Sequence, residues 1–168
     1  MTGVQTCALP IWKIQILLLS ASVVVLLATC LMSIFAPVCR DNERNSRETI
    51  VKQRLCIIRS AQEHYRNTHG CYAADFKQLI TAKLITDSIQ YIPFAEGAKF
   101  RMAATKVEGK SGKMIPVMEC SALFADFLKG MNEKYISSII ENANIYGEYP
   151  GLKFGDITSN NDNAANWE

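Results

Sequence analysis

The chain is poor in the residues that build catalytic and metal centres. It has two histidines, His64 and His69, five positions apart. A helical metal pair needs its ligands at i and i+4, so this spacing reads as a surface histidine followed by one at a helix end. No Cys-x-x-Cys, Gly-x-Ser-x-Gly or phosphate-cradling glycine loop occurs. The usual signatures of thiol redox, serine-hydrolase and nucleotide chemistry are therefore missing. Glu63, Asp75, Glu96, Glu119 and Asp126 are scattered along the chain and define no acid/base pair. The reading is of a protein that is not an enzyme, with no catalytic residue and no cofactor.

Acidic residues are also missing from the first quarter: none precedes Asp41. All sixteen lie at or after that position, and seventeen of the eighteen basic residues lie at or after Arg40. The part beyond Arg40 is thus nearly neutral, which excludes the strong basic excess of a nucleic-acid footprint. Its length of roughly 130 residues suits one ordinary domain. No internal repeat is present. Arg40, Arg44, Arg47, Lys52, Arg54, Arg59 and Arg66 make one stretch locally basic. That stretch reads as a solvated helix face near lipid headgroups, on which Arg47→Ala should change stability by less than about 0.5 kcal/mol.

What the chain does have is one uncharged apolar run, Ile14 to Ala36, with Gln15 its one strongly polar side chain. About 20 such residues cross a bilayer as a helix. Lys13 and Arg40 flank the run, and Pro37 can end or kink it. Leu27-Ala28-Thr29-Cys30 loosely matches a lipid-anchor signal, but the apolar run continues to Phe35 where a lipoprotein would turn polar. Thr2 to Ile11 match the in-frame translation of a common sequencing adapter, with the leftover base opening the Trp12 codon. Such scars are set aside in reasoning about fold. The expected division is 1–12 adapter-derived sequence and truncated N-terminus, 13–39 transmembrane anchor, and 40–168 soluble domain, with the natural chain starting further upstream.

After the run, Val51, Leu55, Ile58, Gln62 and Tyr65 share one helical stripe, with Ile50, Ile57 and Ala61 beside it. This predicts a helix from Arg40 to His69, closed by Gly70 in a left-handed conformation. Asp75 is placed to cap a second helix whose Phe76, Leu79, Ile80 and Leu84 face the core. Tyr91 to Phe94 reads as extended. Lys99–Val107 and Met114–Cys120 read as strands joined by the loop 108–113. Ser121 is expected to cap a short helix through Leu128, and Asn132 another over Glu133–Ala143. Tyr149-Pro150-Gly151 is a turn, Leu152–Ile157 a last strand, and Ser159–Asn163 a loop. The fold class is α+β, with a long amphipathic helix packed on a small antiparallel sheet.

Cys39, Cys56, Cys71 and Cys120 lie outside both the scar and the apolar run. Four cysteines allow three pairings. Cys71 follows the glycine break and Cys120 ends a strand, which makes Cys71–Cys120 a candidate disulfide; buried or half-buried free thiols are the alternative.

Ile58-Arg59-Ser60-Ala61-Gln62-Glu63-His64-Tyr65-Arg66, then Gly70-x-Tyr72 and Phe76-x-x-Leu79-Ile80, resembles the end of the long helix in type IV pilins and pseudopilins. The likeness covers about residues 14 to 85. Pro37-Val38, the Tyr91–Phe100 block, Pro150–Gly155 and the Asn160–Glu168 ending are similar to an uncharacterised family of bacterial single-pass envelope proteins. Two features depart from pilins: the apolar run holds no Glu, and Ala73 stands where pilins carry Pro.

The pilin resemblance implies a bacterial inner-membrane protein with one span and a periplasmic domain. The arginines after the span would by themselves place that domain in the cytoplasm. The expected partners are the membrane and other proteins, or self-association through the helix, with no small-molecule substrate. The function expected is assembly or partner binding. The alternative is a membrane-tethered extracytoplasmic binding or sensor domain without filament assembly. Some pseudopilins hold calcium in a C-terminal loop, which makes Asp156, Asn160 and Asp162, beside Asn163, candidate metal ligands here.

Overall fold

A computed structural model of the chain describes residues 11–109 and 112–168. The chain divides into two compact units, Met1–Glu43 and Arg44–Glu168. Helix α1, Ile11–His69, begins in the first unit and ends in the second. It continues through Pro37 rather than ending there. The proline ring removes one donor from the helical ladder at that point.

The second unit is α+β. After α1 come α2 (Phe76–Thr81), a single 3-10 turn (Asp87–Gln90), β1 (Arg101–Glu108) and β2 (Met114–Leu123). They are followed by α3 (Phe124–Phe127), α4 (Glu133–Ile145) and β3 (Gly151–Gly155). The strands form one antiparallel sheet in the order β1-β2-β3. Arg101 is opposite Ser121 and Glu108 opposite Met114, while Leu123 is opposite Gly151 and Glu119 opposite Gly155. The hairpin loop between β1 and β2 includes positions 110 and 111, which lie outside the described residues.

The stripe read on α1 is the buried face. Val51, Leu55, Ile58 and Gln62 are fully buried and Tyr65 is half-buried. They share the core with Leu79, Met118, Cys120, Phe127 and Phe154. Burying a Leu or Ile side chain contributes about 1.5–3 kcal/mol, so this face holds the helix to the sheet. Ile50 and Ile57, beside the stripe, are exposed.

Gly70 closes α1 at φ +73, with its N–H donating to the Arg66 carbonyl at 2.8 Å. Gly155 ends β3 at φ +75, where a side chain would run into the Met118 carbonyl, 2.1 Å from a Cβ. Asn132 caps α4, its Oδ1 accepting from the Tyr135 N–H at 3.2 Å.

The structure differs from the sequence reading at several points. The Asp75 side chain makes no cap bond at the start of α2, and β3 ends at Gly155 rather than Ile157. Ser121 does not cap a helix; it remains in β2, paired with Arg101 and Lys153, because β1 on one side and β3 on the other continue the pairing, and Cys120, Ser121 and Ala122 are all buried between them. Helix α2 stops at Thr81, and Lys83 takes a left-handed φ of 57 so that the Leu84 N–H bonds the Leu79 carbonyl. That is a helix-closing turn made without glycine, and it leaves Leu84 half-buried outside the helix. Phe94 is not extended. It sits at φ 66, after Pro93 and with Ala95 N–H directed back to the Ile92 carbonyl at 3.4 Å, as in a type II turn.

The arginines are the largest correction. Arg47 is half-buried, and its Nη1 donates to the carbonyls of Phe127 (3.2 Å) and Lys129 (2.9 Å). Arg54 Nη1 donates to the carbonyls of Ser88 (3.0 Å) and Tyr91 (2.6 Å). Arg44 pairs with Glu48 at 2.6 Å and lies over the Phe124 ring. Rather than lying on one solvated face, Arg47 and Arg54 tie surrounding loops to α1. Loop carbonyls at strand and helix ends need donors, and a long cation on the adjacent helix supplies them.

Candidate functional site

In the first unit, the described side chains from Trp12 to Phe35 are all exposed. Ser20, Ser22 and Thr29 donate their hydroxyls to the carbonyls of Leu17, Leu19 and Leu26 at 2.8–2.9 Å. Each of these three hydroxyls is therefore satisfied within the helix, as an apolar surrounding requires. Among the described residues, one helix is long and apolar enough to cross a membrane, and it contains this run. Cys30 lies inside the helix, which continues unbroken through Leu31 to Phe35.

The candidate calcium ligands are engaged in local turns. Asp156 Oδ1 accepts from the Thr158 N–H (2.7 Å) and the Thr158 hydroxyl (2.6 Å), and Oδ2 from the Ser159 hydroxyl (3.1 Å). The Thr158 hydroxyl first, then the Thr158 N–H, holds the Asp156 carboxyl below the usual aspartate range. Asn160 and Asp162 are brought together, exchanging hydrogen bonds of 3.2 and 3.3 Å. Asn163 is buried and donates to the Tyr72 hydroxyl at 2.8 Å. No group of three or more His, Cys, Asp or Glu side chains that could hold a metal occurs among the described residues.

Cys71 and Cys120 are both free. Cys120 points into the core from β2, and burial pushes its thiol well above the ordinary range. Cys71 is half-buried in the turn after α1, and Cys56 and Cys39 are exposed on the helix. His64 is exposed, and His69 stacks on Tyr65 at 4.1 Å with Nδ1 3.2 Å from the Tyr65 carbonyl. Among the described residues the two histidines share no partner.

A polar latch went unread in the sequence. The Asn-rich ending is fastened along β3 and onto α1. Asn166 N–H donates to the Lys153 carbonyl (2.9 Å), and its side chain accepts from the Lys153 N–H (3.0 Å) and donates to the Gly151 carbonyl (2.9 Å). Glu168 meets Arg59 through both guanidinium nitrogens at 2.7 and 3.1 Å. Arg59 also donates to the Asn163 carbonyl at 3.3 Å. Tyr72 joins the two ends, its hydroxyl receiving Arg66 at 3.0 Å as well as Asn163. The Asn-rich composition signals a loop and carries no periodicity, so nothing in it foretells this docking.

Two further surfaces stand out. At the end of α4, Ile145 and Tyr146 are 70% and 77% exposed. In the sheet, β1 is an edge strand. No protein-family model, no curated protein and no solved structure matches this chain.

Proposed function

We propose that this chain is a non-enzymatic, membrane-anchored protein of the bacterial envelope, held by residues 14–36, with its α+β unit outside the cytoplasm binding other proteins. The apolar helix carries the reading: an uncharged run whose described side chains are all exposed, with its Ser and Thr hydroxyls at 20, 22 and 29 satisfied internally. Exposed apolar surface of that extent belongs in lipid or against a partner. The pilin-like build is supported by the helical stripe Val51–Tyr65 packed on an antiparallel sheet and by the Gly70 stop. The role proposed is assembly or partner recognition rather than chemistry. The Cys120 thiol is buried, and the carboxylates of Asp156 and Glu168 serve a turn and a latch.

Alkaline carbonate washing of membranes from cells making the full-length chain tests the anchor. The protein is expected in the pellet, and recovery in the wash would overturn the spanning reading. Protease added to spheroplasts tests the orientation. Digestion of residues 44–168 is expected, and protection until the inner membrane is broken would place the unit in the cytoplasm.

A further inference from the structure

The second unit carries two unpartnered surfaces of opposite character. The first surrounds the end of α4. Ile145 and Tyr146 stand out into solvent, with a groove of about 560 Å³ beside Ile140 and Ile145. Glu141 lines that groove, while Tyr146 and Glu148 border a neighbouring one that Arg44 also lines; both acids are exposed, and neither has an ion-pair partner among the described residues. Large exposed apolar side chains rimmed by charge are the usual anatomy of a docking patch.

The second surface is β1. Its outward backbone N–H and C=O groups have no hydrogen-bond partner among the described residues, whereas the outer edge of β3 is covered by the Asn166 segment. Exposed Lys99, Arg101, Lys106 and Lys113 lie on this strand and around its hairpin, against the single acid Glu108. None of the four cations has an ion-pair partner among the described residues. An open edge strand is a ready template for another chain, and natural proteins cover such edges or charge them.

The two surfaces lie on different elements, one on α4 and one on β1. α3 packs on β2 and β3, α4 packs on α3, and β1 pairs with β2 alone. Surfaces that are complementary but separate cannot meet within one chain, and between copies they produce a head-to-tail contact.

We propose that the α4 end of one copy, Ile145 and Tyr146 with Glu141 and Glu148 about them, docks on the β1 edge of the next, where Lys106 receives the acids. This rests on the partner-binding reading above and names the partner as a second copy. Charge complementarity carries the choice of occupant, because the acidic patch and the basic edge belong to the same sequence. Copies tethered in one membrane meet at high effective concentration, so a small interface suffices. Because each copy offers both halves, the contact is heterologous and propagates from copy to copy.

The test uses the full-length chain in membranes, co-expressed with two different epitope tags and treated with a carbodiimide, which joins lysine to carboxylate directly. Capture through one tag should bring down the other, with Lys106 linked to Glu141 or Glu148 in the joined peptides. Glu141→Lys and Lys106→Glu should each lower the cross-linked yield about tenfold, and their combination should restore it, since like charges in contact oppose association. Raising salt to 1 M should weaken the wild-type yield, the screening length falling to about 3 Å. Absence of linkage between the tags, linkage through other residues, or yields unmoved by both single reversals would overturn the proposal. Carbonate retention of the same samples scores the anchor separately. Retained chains without linkage refute this contact alone, and unretained chains refute the membrane reading whatever the linkage.

Discussion

Gln62 and Ala73 exchange two hydrogen bonds across the end of α1. Gln62 Nε2 donates to the Ala73 carbonyl and the Ala73 N–H donates to Gln62 Oε1, both at 2.9 Å. Both residues are fully buried. The amide copies the two-way pairing of a strand, so the loop leaving Gly70 is fastened to the helix without a sheet partner. Gln62→Leu leaves the Ala73 N–H and C=O buried and unpaired. The expected loss is about 2–4 kcal/mol, each orphaned group costing about 1–3 kcal/mol with partial relaxation. Denaturant unfolding of the Arg44–Glu168 unit measures it, and a loss under about 0.5 kcal/mol would contradict the clamp.

Arg47 supplies the second prediction, and it reverses the sequence-based expectation of a neutral position. Its two bonds to the Phe127 and Lys129 carbonyls and its place over the Phe94 ring, 5.1 Å from the centroid, fix three segments at once. Arg47→Ala should destabilise the unit by about 1–3 kcal/mol, as for hydrogen bonds from a charged donor. Arg47→Lys should recover little of it, since a single ammonium cannot reproduce the planar fork. Equal stability of the alanine variant and wild type would return Arg47 to the solvated face.

The third concerns the buried stripe. Ile58 is fully buried and its neighbour Ile57 is 47% exposed. Ile58→Ala should cost about 2–5 kcal/mol, and Ile57→Ala should fall within about 0.5 kcal/mol of wild type. Similar small effects from both would mean that α1 does not pack on the sheet.

The difference between these positions shows what a sequence discloses. Periodicity fixed the inward face of α1 because only a 3.6-residue repeat places Val51, Leu55, Ile58 and Gln62 together. Gly70 and Asn132 were readable because each answers a local backbone need at a helix end. The hairpin was readable because strand alternation flanks a Gly-rich loop. The arginine contacts were not, because their acceptors at Ser88, Tyr91, Phe127 and Lys129 lie 34 to 82 positions away in the chain. Ser121 misled for a related reason: its local signal suits a cap, and pairing with β3 overrides it. The docking of Asn163, Asn166 and Glu168 is likewise tertiary. The calcium candidates were located correctly as a loop, but composition could not reveal that Asp156 is already bonded by Thr158 and Ser159.

The fourth prediction is the pH response of the latch. The Arg59 hydrogen bonds first, then the Ala165 N–H, hold the Glu168 carboxyl below the ordinary glutamate range. A depressed carboxylate favours the docked ending above the unfolded pKa, and that contribution is lost as pH falls through the lower, folded value. Between neutral pH and about 5 the ending should stay docked, and below the ordinary glutamate value of about 4.3 it should loosen. Hydrogen exchange at Gly155 and Asn166 reads this directly, with Glu168→Gln losing protection already at neutral pH. Protection that does not change with pH in wild type, or that survives in Glu168→Gln, would show that Arg59 is not the fastener.

The central claim is that residues 14–36 lie in a bilayer with the folded unit outside the cytoplasm. Cys30 and Cys56 are both exposed on the helix of the isolated chain, so reactivity toward a membrane-impermeant maleimide distinguishes their surroundings directly. In single-cysteine versions of the full-length protein on intact spheroplasts, Cys56 is expected to label. Cys30 is expected to label only after detergent denaturation. Equal labelling of Cys30 without detergent would place that helix in water, and a Cys56 that labels only after the membrane is broken would place the unit inside.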